Sequence, residues 1–153
     1  MNDTTRYFED FVLGEAWEST PKLLSADEIT AFGRDYDPQP MHTDAERAAD
    51  GPFGGLVASG WQIAAISMRE FVLAGGHGKT PAVGLGIDEL RWTAPARAGD
   101  LLTVRREAIE LRRSASNPRH GIMRTKVTVR NQAGTVLMTL VATSRVPTRE
   151  AAP

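Results

Sequence analysis

The chain has no cysteine among its 153 residues. That excludes disulfide scaffolds, thiolate zinc sites and cysteine nucleophiles together. Histidine is scarce: His42, His77 and His120 are the three present, and no His-x-x-x-His pair offers a metal site. An excess of either charge is also lacking, since 18 basic residues stand against 19 acidic ones for a net charge of −1. A general nucleic-acid binder or a polybasic membrane-surface protein would carry a clear positive surplus. Long hydrophobic runs are missing. The most apolar stretch, Leu56 to Met68, contains Ser59 and Gln62 and ends at Arg69-Glu70, so it does not span a bilayer. The opening residues are acidic and polar where a secretory leader needs a basic and then an apolar segment. These absences predict a soluble, cytoplasmic protein with neither nucleic acid nor membrane as partner.

What is present is a globular composition, 41% hydrophobic and 24% charged. A length of 153 residues suits one domain. Residues 1–153 are expected to form it, with a core over about 8–146 and a short flexible tail after Arg149. No internal repeat is visible.

Turn residues and helix starts punctuate the first half. Trp17 to Leu24 reads as a strand. Ser25-Ala-Asp-Glu28 has the pattern in which serine caps the first free N–H groups and the glutamate reaches back. It predicts a helix over Ala26–Arg34, stopped by Asp37-Pro-Gln-Pro40. Thr43-Asp-Ala-Glu46 repeats the pattern and predicts a short helix over Asp44–Ala49. Gly60 to Ala74 is the longest helical segment, apolar over most of its circumference and so expected to be wrapped by other structure. Strand patterns then take over: Ile87–Trp92, Leu101–Leu111, and an alternating pair around the hairpin loop Asn131–Gly134. One buried helix followed by an antiparallel sheet is an α+β layout. Wrapped by a curved sheet, such a helix gives the hotdog arrangement.

Three motifs mislead. Gly75-Gly-His-Gly-Lys-Thr80 imitates a phosphate loop, but Leu73 stands where its first glycine belongs and a helix precedes it. Gly84-Leu-Gly-Ile-Asp-Glu89 lacks the third glycine of a dinucleotide fingerprint. Ser59 has Val57 two residues before it, so it is not a hydrolase nucleophile elbow.

Asp37-Pro-Gln-Pro-Met-His42 is more informative. It sets a carboxylate and an imidazole five positions apart in a loop stiffened by two prolines. By itself this is more often the pattern of a surface turn. The run Gly54-Gly-Leu-Val-Ala-Ser-Gly60, ending eighteen residues after His42, leads into the long helix. The first N–H groups of a helix lack internal acceptors and carry the positive end of its dipole. At Gly60 no side chain shields that N–H, so it is suited to polarise a carbonyl oxygen. Tight packing of the helix under the sheet would also require glycine there.

Asp37-x-x-Pro40-x-His42, joined to this helix entry and to the later Leu90-Arg-Trp-Thr-Ala-Pro95-Ala-Arg-Ala-Gly99-Asp100 segment, resembles the MaoC-like dehydratases and (R)-specific enoyl-CoA hydratases. The resemblance implies a hotdog fold and a homodimer or higher homo-oligomer. It implies an enzyme that adds water to an enoyl thioester, or removes it from a 3-hydroxyacyl thioester. Coenzyme A or a phosphopantetheine arm would come with the substrate, and no further cofactor or metal is expected. Carried over, Asp37 is the general base, His42 its partner in moving the proton, and Gly60 N–H the carbonyl clamp. Pro40, Ser59 and Trp61 become the neighbours on the substrate side, although Trp61 by pattern is first a core residue. Arg112 and Arg113 flank a polar loop that is solvated by composition, and they are the candidates to meet the carrier's phosphates. Gln39 stands where the family often has asparagine, Ser59 where many members have histidine, and Ser67 near the serine that often orients the aspartate. A thioester hydrolase and a non-catalytic acyl-binding subunit are the alternatives on the same fold.

Overall fold

In the computed structural model, which describes residues 5–151, the first half of the chain supplies short elements and the second half a sheet. The early strand is broken in two, β1 (Ala16–Glu18) and β2 (Lys22–Leu23), which both pair with β4 (Leu101–Arg113). Helix α1 (Ala26–Tyr36) opens on the expected box. Glu28 N–H donates to Ser25 Oγ at 3.1 Å, and Ser25 N–H donates back to the glutamate at 3.1 Å. The helix runs two residues past Arg34 and closes when Asp37 N–H donates to Gly33 carbonyl at 2.9 Å.

Between the prolines and the next cap the expected loop is instead a single helical turn, α2 (Pro40–Thr43). Proline at a first helical position loses no bond, because that N–H has no internal partner. The cap of α3 (Ala45–Ala49) is Asp44, whose Oδ1 accepts from Glu46 and Arg47 N–H at 3.1 and 3.0 Å. The repeated box at Thr43 is therefore shifted by one residue. Thr43 Oγ1 donates to Gln39 carbonyl and belongs to α2.

Helix α4 (Gly60–Leu73) packs on an antiparallel sheet ordered β1-β4-β5-β6-β3. The remaining strands are β3 (Val83–Trp92), β5 (His120–Arg130) and β6 (Val136–Pro147). Apolar residues alternate onto one sheet face, where Val104, Val127, Val129, Met138 and Leu140 meet Ile63 and Ile66 of α4. Gln62 Nε2 donates to Glu28 carbonyl at 2.9 Å and ties α4 to α1. The helix is not wrapped all round as its composition predicts. Trp61, Met68 and Val72 stay 51–57% exposed. Strand β3 lies at the sheet edge with nine of its ten residues exposed.

The Pro95–Asp100 segment has a structural task. Gly99 takes a positive φ of 91°, and Arg97 N–H donates to Asp100 Oδ2 at 2.8 Å, closing a tight turn. Ala58 N–H donates to Ala96 carbonyl at 2.9 Å, so this turn fixes the chain entering α4. The expected tail begins with a 3-10 turn (Arg149–Ala151), held by an ion pair from Arg149 to Asp10. Residues 152–153 of that tail lie outside the described residues.

Candidate active site

Three short elements converge at the start of α4. Asp37 sits where α1 ends, His42 lies within α2, and Ser59 caps α4. Ser59 Oγ donates to Asp37 Oδ2 at 2.7 Å, and Gln39 Nε2 donates to Oδ1 at 2.7 Å. His42 Nε2 lies 3.3 Å from Oδ2. The other ring nitrogen, Nδ1, lies 2.7 Å from Val57 carbonyl. A carbonyl only accepts, so Nδ1 carries a proton and Nε2 is the atom left to exchange one.

His42 is 6% exposed, while the Asp37 side chain keeps 19%. The Gln39 amide, with Ser59 next and His42 last, holds the Asp37 carboxyl below its ordinary 3.8 although burial opposes this. Asp37 is therefore ionised at neutral pH. A carboxylate offers about four acceptor positions; Gln39 and Ser59 fill two, and His42 Nε2 fills a third only when it carries a proton.

Gly33 positions the imidazole from behind. A Cβ there would lie 2.7 Å from His42 carbonyl, closer than real Cβ atoms come, so α1 and α2 touch only because this residue is glycine. Gly60 is constrained likewise. Its Cβ would fall 2.3 Å from the Trp92 indole. Its amide is the first of α4, without an acceptor inside the helix.

Asp37, His42, Ser59 and Gly60 open together onto a cavity of about 430 Å³ whose other walls include Trp61 and Trp92. The two indoles meet edge to face at 5.3 Å. Such a chamber, apolar with a few convergent polar groups, is the usual form of a small-molecule site. Among the described residues, no group of three or more metal-ligating side chains is assembled. None of the described helices is long and apolar enough to cross a membrane.

Residues 11–131 match the family described as MaoC like domain. The chain belongs to that family. It is 36% identical to a MaoC-like dehydratase from Rhodospirillum rubrum, whose crystal structure superposes with a TM-score of 0.86 over 94% of this chain and 98% of that one. It is 32% identical to the uncharacterized protein YdeM of Bacillus subtilis over 61% of this chain and 67% of that protein. An (R)-hydratase from A. caviae, involved in PHA biosynthesis, shares the hotdog fold at 24% identity and a TM-score of 0.75, over 91% of this chain and 99% of that one.

Within this MaoC-like chain the other expected residues fare differently. Ser59 bonds to Asp37, is 1% exposed and forms part of the cavity wall. Pro40 starts α2 and does not line the cavity. Trp61 is 57% exposed and lines the cavity, which overturns its assignment to the core. Arg112 and Arg113 end β4 and pair with Glu110 at 3.2 Å and Glu9 at 2.9 Å. Neither arginine lines the Asp37 cavity. The chain's own fold does not bring these arginines to the site. Ser67 donates to Ala64 carbonyl at 2.7 Å, and it is Ser59 that orients Asp37. Phe53, Gln39 and Trp92 complete the site without having been expected to.

Proposed function

We propose that this chain is a hydratase or dehydratase acting on the 2,3 bond of an acyl thioester. One observation carries the proposal: a carboxylate and an imidazole converge beside the first amide of a buried helix, in one apolar cavity. In the hydration direction a water held by Asp37 and His42 Nε2 attacks C3 of a trans-2-enoyl thioester. The new C3–O bond forms as the π pair moves toward the thioester carbonyl, and the water gives its proton to the acid–imidazole couple. Gly60 N–H donates to the enolate oxygen, a role worth roughly 3 kcal/mol for one well-placed donor. A proton returned to C2 collapses the enolate and completes the 3-hydroxyacyl thioester. Dehydration is the reverse. The carrier, coenzyme A or a phosphopantetheine arm, leaves with the product and is no cofactor of the protein.

The test is to offer crotonyl-CoA and longer trans-2-enoyl-CoA esters and follow loss of the conjugated double bond. Asp37→Asn and His42→Ala should each lower kcat by about 10²- to 10⁴-fold. Full activity in both variants would remove the mechanism. Release of free thiol with the double bond intact would replace the lyase by a hydrolase.

The working form is a homodimer joined along β3. This edge strand is ten residues long and exposes Val83, Leu85 and Ile87. An open, apolar edge of that kind is a template for pairing with another strand.

A further inference from the structure

At the opposite end of α4 the inner sheet face carries a cation. Arg106, in β4 opposite Trp17 and Val127, is 7% exposed. Its guanidinium lies 4.2 Å over the Phe71 ring, and among the described residues it makes no ion pair and its buried Nε has no hydrogen-bond partner. The neighbouring Arg6 shows the contrast, because both of its terminal nitrogens are bonded to Glu15 at 2.7 and 2.8 Å. Burial pushes Arg106 down to about 10, with no carboxylate opposing the fall, so it remains charged at neutral pH. An unpaired charge buried this deeply is strongly unfavourable without an anionic partner.

Arg106 forms a common wall of two adjoining chambers, about 340 and 260 Å³. The larger is bounded by Met68, Phe71, Val72 and Ala82 and by the glycine turn around His77. Burial pushes His77 down to about 4, so it adds no charge of its own at neutral pH. Phe71 lies 11 residues along α4 from Gly60, about 16 Å, so this is a different site from the Asp37 cavity. Lys79, Thr80 and Ser144 also line it; its apolar side suits an apolar body, and its buried arginine suits one negative charge. Planar bidentate pairing is what a guanidinium gives a carboxylate.

We propose that the Arg106 chamber binds a carboxylate attached to an apolar chain, its oxygens on the guanidinium and its chain against Phe71 and Met68. Such a group belongs either to a free carboxylic acid or to the far end of a carboxylated acyl thioester. Hexanoate and its uncharged isostere hexanamide are the probes, titrated calorimetrically into the full chain. Hexanoate should bind at least roughly tenfold more tightly than hexanamide, the difference expected of a charge-assisted pair. Arg106→Leu should abolish that preference. If Arg106→Leu does not fold, Ala82→Leu, which fills the chamber and leaves the arginine in place, should weaken hexanoate by a similar factor. Asp37→Asn should bind hexanoate like the unaltered protein, which separates this site from the proposed reaction. Displacement of hexanoate by an ω-carboxyacyl-CoA would identify the thioester tail as the source, and its retention a free acid. Equal binding of both probes, or no hexanoate binding at all, overturns the proposal.

Discussion

Asp37 is held by donors from both sides, the Gln39 amide and the Ser59 hydroxyl. Together with His42 these keep its carboxyl below the ordinary 3.8. A depressed carboxyl stabilises the folded state above its unfolded value, and that contribution is lost as pH falls through the folded value. The acid limb of kcat/KM, if Asp37 is the base, therefore falls below 3.8. Ser59→Ala removes a donor while burial persists, so the limb should move to higher pH, and rate profiles of the two proteins measure it. An unmoved limb would show that Ser59 does not tune the base. Asp37 and His42 were legible because both lie in a stretch of six residues. Gly33 was not: its need to be glycine comes from the His42 carbonyl, which nothing in the local pattern of α1 announces.

Helix α4 and strand β3 meet at the Gly60–Trp92 contact. Ile87 pairs with Ala142 and Trp92 with Met138, so five steps on β3 match four on β6. The extra residue is taken up in a bulge, where Glu89 has a φ of 54°. Strict alternation would have turned Trp92 to the face opposite Ile87. The bulge instead sets the indole over the start of α4, where it fills the space a Gly60 side chain would need. Gly60→Ala should therefore destabilise the fold by about 1–3 kcal/mol through overpacking. Trp92→Val in the same chain should recover much of that loss in a denaturant titration. If Gly60→Ala alone is as stable as the original, the contact is looser than the geometry requires. The helix itself was plain from its spacing, and the capping box placed α1 to the residue at its start. Turn α2 was invisible because a four-residue element has no period to detect.

At the scale of the molecule, the apolar residues left exposed on β3 call for a second surface to cover them. A charge placed on the open edge should block this pairing. Leu85→Arg with Ile87→Lys is expected to convert a dimer into a monomer, read by light scattering after size-exclusion chromatography. A protein that is monomeric before substitution would refute the edge as an interface. The helix pattern alone implied complete wrapping, since hydrophobicity reports that a face must be covered and not by which chain.

Order along the chain was determined by the sequence itself: α1 and α4, the hairpin at Asn131–Gly134, and the Asp37–His42 pair all rest on neighbours a few residues apart. Tertiary structure decided what local spacing does not encode. It joined Ser59 to Asp37 across 22 positions, laid Trp92 against Gly60, sent Arg112 and Arg113 to the far end of β4, and enclosed Arg106 with its Nε unpartnered among the described residues. The physical reason is that periodicity and capping are set by bonds within a few residues. Contacts between distant elements depend on register, and a single bulged residue is enough to change which side chains meet.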